Sequence, residues 1–160
     1  MRSEETAINK IDLTLRPEGL AHNIAKAREL GVVIPTIAQM QSPETIPERI
    51  RHRLRQVGLW DVNPLNLFRI TWKNEAKEFG GGFRTVPNYV ELPPSLTGVP
   101  CRIVAMAGKW FPTGCHKVGA SFGCLAPRLV TGQFDMERHK AVWPSTGNYC
   151  RGGAFNSRLL

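Results

Sequence analysis

The sequence predicts an α/β fold in which a helical N-terminal arm precedes a βαβα unit. The segment Arg102–Met106 is a short, nearly continuous apolar run, which is typical of a buried strand. Small and apolar residues then recur at helical spacing over Lys117–Gly132, a second strand is expected at Lys140–Trp143, and a last helix starts near Gly153. This order of strand, helix, strand and helix predicts a parallel sheet.

Length and composition indicate one globular domain, or one domain with an arm. The chain has 160 residues, of which 42% are hydrophobic and 21% charged. It contains no run of about 18 apolar residues, so no membrane helix is expected. The N-terminal Met1–Glu5 lacks the apolar run of a signal peptide, which favours a cytoplasmic protein. The four cysteines form no Cys-x-x-Cys unit, so we expect reduced packing thiols and no metal site.

The net charge of +8 favours anionic partners. The densest basic run is Arg49–Arg55, and its apolar partners follow helical spacing: Ile46, Ile50, Leu54 and Val57. This pattern predicts an amphipathic helix whose arginines face solvent. A nucleic-acid-binding stripe is the alternative, and no interleaved aromatic residues support it.

Residues 1–84 are expected to form the arm and a connector, and residues 85–160 the α/β unit. One predicted helix opens at Pro17 and closes at Gly31, and a second runs from its cap Ser42 to Gly58. The glycine-rich Phe79–Asn88 is predicted to be a loop. A phosphate cradle is the alternative, but no strand–loop–helix pattern surrounds the glycines and no lysine follows in Walker position.

The final helix carries no stop signal before Leu160, and Pro127 is expected to kink or split the helix before it. A βαβα piece also leaves sheet edges unpaired. We therefore expect this chain to be incomplete, either as the N-terminal part of a longer protein or as a subunit whose open edge a partner chain covers, including a second copy.

Two strand-to-helix turns carry residues suited to chemistry. In a parallel sheet such turns gather at the carboxyl ends of the strands, which would bring Lys117 and Asn148 toward one crevice. The positive end of a helix disfavours a protonated lysine, and a neutral amine forms a Schiff base with an aldehyde. The Ser145–Asn148 loop offers a site for a carboxylate. The alternatives are a surface lysine and an ordinary helix cap.

The two turns also resemble a known family. "PTGCHKVGAS" around Lys117 and "PSTGNYCRGGAF" around Asn148, 31 positions later, are similar to the N-terminal region of fold-type II pyridoxal-phosphate enzymes. That superfamily includes the tryptophan synthase β-subunit, cysteine synthase, threonine synthase and the serine/threonine dehydratases. The upstream Val86–Gly98 also resembles the segment that precedes the family's first strand, so the resemblance covers about residues 85–160.

The resemblance implies a role for each matching residue. Lys117 would form the Schiff base with pyridoxal 5′-phosphate and later move the substrate's α-proton. Asn148 would hydrogen-bond the cofactor's 3′ oxygen, and His116 would lie near its phosphate, with simple packing as the alternative. Three residues would grip the substrate α-carboxylate: Ser145, Thr146 and Gly147. Tyr149 replaces the small or polar residue that often follows the family's asparagine.

The resemblance also implies the activity, a lyase or β-replacement reaction on an amino acid. The family's glycine-rich phosphate cradle, and the residue that meets the pyridine nitrogen, lie far toward the C-terminus and have no counterpart in these 160 residues. We therefore expect the isolated chain to be inactive or nearly so. The alternative is a non-catalytic α/β subunit or scaffold that needs a partner chain.

Overall fold

The computed structural model describes residues 12–160, a mixed assembly of helices and one small sheet. The α-helices of this part are α1 Pro17–Glu29, α2 Ile37–Gln41, α3 Glu48–Leu54, α4 Pro94–Thr97, α5 Lys117–Val130 and α6 Asn148–Leu159. The two strands are β1 Tyr89–Leu92 and β2 Ile103–Met106, and short 3-10 turns fill several connections. None of the helices in this range is long and apolar enough to cross a membrane.

The sheet differs from the predicted one. Strands β1 and β2 pair antiparallel, with Tyr89 opposite Met106 and Leu92 opposite Ile103. The parallel sheet of the fold-type II prediction is therefore not shown. The expected strand at Lys140–Trp143 does not form, because the Trp143 ring packs against α6 instead. Strand β2 does form where it was predicted, but most of its residues are exposed.

The first helix of the arm follows its sequence signals. Helix α1 begins at Pro17, whose missing N–H is harmless there, and the chain turns at Gly31 with a φ of 67°. Asn23 then ties α1 to the segment after α5. Its side-chain amide donates to the carbonyl oxygens of Leu129 (3.0 Å) and Phe134 (2.6 Å), and its oxygen accepts from the Met136 N–H (3.3 Å).

The predicted helix from Ser42 to Gly58 is shorter than expected. Pro43–Thr45 is a 3-10 turn, and α3 starts only at Glu48, after Pro47, because prolines leave no donor for a continuous helix. The amphipathic prediction for this segment is confirmed. All four predicted apolar positions are buried in one cluster, together with Leu65 and Phe68: Ile46, Ile50, Leu54 and Val57.

A buried arginine closes the end of α3. Arg69 is 4% exposed, and its guanidinium donates to the carbonyl oxygens of Leu54 (2.6 Å), Val57 (2.5 Å) and Gly81 (3.1 Å). Burial lowers the pKa of this guanidinium from its usual value. The Leu54 carbonyl at the end of α3 also accepts from the Val57 N–H (3.0 Å), so Arg69 adds a second donor there and ties the end of the helix to the Val57 and Gly81 backbone.

The largest cluster of buried residues joins the two halves of the chain. Its members are Val32, Leu67, Ile70, Phe111, Val118, Phe122, Ala126 and Leu159. Helix α5 contributes Val118, Phe122 and Ala126, whereas Ala120 and Cys124 on the same helix are exposed. Pro127 does not split α5, which continues to Val130. The arm therefore packs against the α5–α6 pair through shared apolar residues.

Helices α5 and α6 pack closely because α6 carries glycine where they meet. A Cβ on Gly152 would lie 2.7 Å from the Cα of Val118 and 2.8 Å from its nitrogen. One turn later, the buried Asn156 donates from Nδ2 to the Val118 carbonyl and to the Ser121 hydroxyl, both at 2.8 Å. Helix α6 begins at Asn148, one turn before the predicted start near Gly153.

Candidate functional site

The turn before α5 holds its backbone in an unusual conformation. Thr113 has a φ of 66° and Gly114 a φ of 71°. A β-branched residue is strained in this left-handed region, whereas glycine accepts it. Thr113 is also 2% exposed, and its hydroxyl has no partner among residues 12–160. Such strain is characteristic of turns that hold a functional group in place.

Lys117 is the first residue of α5, as the sequence predicts, and its side chain is exposed. The residue before the helix, His116, provides no side-chain cap for the first amides. The His116 ring stacks on Trp72, with centroids 5.3 Å apart and an interplanar angle of 24°. This contact supports the packing alternative for His116 and leaves its role beside a phosphate a prediction.

The Ser145–Gly147 segment leads directly into α6. Ser145, Thr146, Gly147 and Asn148 are all exposed. The Ser145 hydroxyl accepts from the Gly147 N–H at 3.2 Å, and no side chain caps the first turn of α6. The simple helix-cap alternative is therefore wrong, and the amides of that turn remain available to an anion.

Trp143 holds the Ser145–Gly147 segment against α6, although the sequence predicted that Trp143 would end a strand. The indole Nε1 donates to the Ser157 hydroxyl at 3.0 Å, and its ring meets Tyr149 edge-on with centroids 5.6 Å apart. The ring lies so close to Gly153 that a Cβ there would clash with it. Paired glycines inside a helix signal such a close approach, and Gly152–Gly153 was the available clue.

The structure brings the first turns of α5 and α6 together at one end of the helix pair. Gly152 touches the backbone of Lys117 and Val118, and contacts then progress along both helices in the same direction, to Asn156 against Ser121. Asn148 lies one helical turn, about 6 Å along the axis, before Gly152. Lys117 and Asn148 thus occupy neighbouring helix starts, although no parallel sheet holds them there.

The electrostatics of this end favour anions. Two helix N-termini meet here, and each carries about half a positive charge. Arg151 lies near them on α6, with its guanidinium carbon 5.9 Å from the centre of the Trp60 ring. An apolar cavity of about 540 Å³ borders the first turns of α5 and is walled by Trp72, Phe111 and Gly119.

Other predicted features have structural outcomes. The glycine-rich loop lies next to a carboxylate. A Cβ added to Gly80 or to Gly82 would lie 3.5 Å from Glu75 Oε2. That arrangement does not suit a phosphate. The four cysteines are free, and none is buried as a packing residue should be. Residues 12–160 contain no group of three or more potential metal ligands.

Comparison with known proteins adds no relative. No protein-family model, no curated protein and no solved structure matches this chain.

Proposed function

We propose that this chain carries the lysine side of a pyridoxal-phosphate site in an amino-acid lyase or β-replacement enzyme. The observation that supports the proposal is the position of Lys117, an exposed amine at the start of α5, beside the N-terminus of α6 that no side chain caps. The cofactor is an aldehyde with several anionic groups, and an amino-acid substrate brings a carboxylate. The aldehyde needs an amine and the anionic groups need hydrogen-bond donors, and this end of the helix pair supplies the two together.

Each residue of the site contributes a distinct step. Lys117 Nζ would hold the cofactor through its aldehyde carbon, with loss of water, and the lysine amine, once displaced by the substrate's amino group, would accept a proton from the substrate α-carbon. The Asn148 amide would donate a hydrogen bond to the cofactor's 3′ oxygen. The Ser145 and Thr146 hydroxyls would donate to the substrate α-carboxylate, and Gly147, whose own N–H is bonded to Ser145 Oγ, would let the backbone approach it closely. When bound, the cofactor supplies the electron sink that stabilises negative charge on the α-carbon.

The residues present suit the aldehyde end of pyridoxal phosphate. They offer no dedicated site for its phosphate, and this limits the activity expected of the chain. Among the described residues, the glycine-rich loop that most resembles a phosphate cradle surrounds Glu75 instead. The phosphate then depends on helix amides and on Arg151, and we expect weak cofactor binding and no appreciable turnover by the 160-residue chain alone.

The test is covalent trapping. The chain is incubated with pyridoxal phosphate, reduced with borohydride and digested, and the modified lysine is identified by mass spectrometry. We expect labelling at Lys117 above the other lysines and its loss in Lys117→Ala. Lys109→Ala is the matched control, because Lys109 is also exposed but lies over the Trp110 ring (4.7 Å). Labelling spread evenly over the lysines would contradict the proposal.

A second candidate function, a non-catalytic subunit that pairs with another chain, is favoured by the β1–β2 hairpin. A two-stranded sheet is marginal by itself in water. This hairpin exposes large apolar side chains: Tyr89, Val90, Val104 and Met106. Sedimentation of the purified chain separates the candidates. A stable monomer that traps the cofactor at Lys117 supports the enzyme, and an oligomer without specific trapping supports the scaffold.

A further inference from the structure

A separate cavity lies where the second half of α5 meets the end of α6. Its volume is about 350 Å³, which is within the range of small-molecule sites. Most of its wall is apolar: Leu125, Leu129, Phe134, Met136 and Leu160. Leu125 and Leu129 are 5% and 3% exposed, so the floor of the cavity belongs to the core. The polar side chains in its wall are those of His139, Lys140 and Ser157.

These three polar side chains all present donors. His139 Nδ1 accepts from the Asp135 N–H at 2.9 Å, so in the neutral ring the proton is on Nε2. Ser157 Oγ accepts from Trp143 Nε1, and its own hydrogen has no acceptor among the described residues. Lys140 forms no ion pair with any residue from 12 to 160.

No acidic side chain lines the cavity to compensate these donors. The two nearest carboxylate side chains along the chain are engaged elsewhere. Glu137 pairs with Lys26 Nζ (3.0 Å) and His22 Nε2 (3.2 Å), and Asp135 accepts from the N–H groups of Glu137 (2.8 Å) and Arg138 (2.9 Å). The side chains at the edge of this apolar cavity offer donors and no carboxylate, which suits a ligand that has an apolar body and an anionic head group.

We propose that this cavity is a binding site for a small hydrophobic carboxylate, such as a medium-chain fatty acid. The apolar body occupies the space between Leu125, Leu129 and Phe134. The carboxylate accepts from Ser157 and His139 and forms an ion pair with Lys140. The site shares no residue with the proposed Lys117 site and does not depend on it.

The site has a structural link to the other end of α6. Ser157 is held by Trp143, which also meets Tyr149 and Gly153 near the start of the helix. A ligand that accepts from Ser157 therefore contacts a residue hydrogen-bonded to the segment before Asn148.

The test compares octanoate with 1-octanol by isothermal titration calorimetry on the 160-residue chain. We expect octanoate to bind about tenfold more tightly, because a charged hydrogen bond adds to the same apolar contact. Ser157→Ala and Lys140→Met are each expected to weaken octanoate several-fold while octanol binding stays unchanged. Lys109→Met is the matched control and keeps full octanoate affinity. Met136→Trp, which fills the cavity, is expected to remove binding of both probes.

Each variant is first checked by thermal denaturation, so that a loss of binding is not a loss of folding. Equal affinity for octanoate and octanol would overturn the proposal, since it would show an apolar surface without anion recognition. The proposal is likewise overturned if octanoate fails to bind, or if Lys109→Met weakens it as much as Lys140→Met does.

Discussion

The contact between α5 and α6 at Gly152 provides the sharpest test of the structure. In Gly152→Ala the new Cβ would lie 2.7 Å from Val118 Cα, whereas unbonded carbons prefer 3.5–4.0 Å. The helices must therefore separate by about 1 Å at this point. Because both contacting groups are backbone atoms, no side-chain rotation can relieve the clash.

The expected cost follows from three effects. Overpacking costs about 1–3 kcal/mol. Separation also weakens the two 2.8 Å hydrogen bonds of Asn156, each worth about 1 kcal/mol. The better helix propensity of alanine returns about 1 kcal/mol. We expect the free energy of unfolding to fall by about 2–3 kcal/mol, and Tm by about 5–10 °C for a chain of this length.

The control is Gly123→Ala on the outer face of α5. No atom lies within 4 Å of a Cβ at that position, and the residue is exposed. Only the propensity gain remains, so Tm is expected to rise by about 2–4 °C. Circular dichroism at 222 nm (a helix signal) during heating measures both variants. A Tm for Gly152→Ala equal to or above that of Gly123→Ala would refute the packing described here.

Two further predictions concern buried and surface charges. Arg69→Met leaves the carbonyl oxygens of Val57 and Gly81 without their donor and that of Leu54 with the Val57 N–H alone, so urea denaturation is expected to show a loss of about 3 kcal/mol. Arg69→Lys is expected to be intermediate, and an unchanged midpoint for Arg69→Met would contradict the prediction. The pKa of Asp135 lies below its usual 3.8 because its carboxylate accepts from the Arg138 and Glu137 N–H groups and lies near His22. The ionised carboxylate therefore stabilises the fold above pH 3.8, and this contribution is lost as pH falls through the lower folded-state pKa. Asp135→Asn should therefore lose less stability than the unchanged chain during acid titration followed by circular dichroism, and parallel acid curves would exclude that role.

Local signals in the sequence predicted several elements correctly. The buried positions Ile46, Ile50, Leu54 and Val57 follow from helical spacing, because a helix repeats its apolar face regardless of its partners. The start of α1 at Pro17 and its closing turn at Gly31 follow from backbone preferences of single residues. The start of α5 at Lys117 was predicted for the same reason, since a proline–glycine turn precedes it.

Local sequence signals did not predict which strands pair or which side chains pack closely against the helices. A short apolar run at Ile103–Met106 indicates a strand, but its partner depends on which other segment reaches it, and here that is the nearby β1. Trp143 suits a strand by propensity, yet its ring gains more by packing on Gly153 and bonding Ser157. Arg69 gave no sequence sign that it would be buried beneath α3.

The candidate site also depends partly on local sequence and partly on tertiary packing. The sequence by itself determined the residue types, a lysine and an Ser-Thr-Gly-Asn segment that each open a helix, because caps, turns and helix starts are properties of a few adjacent residues. Only the tertiary structure decided that the two helix starts are neighbours, since that depends on the absence of a side chain at Gly152 against the Val118 backbone. The cavity between α5 and α6 is likewise a product of packing, because Lys140 and Ser157 line one space only after the helices are in place.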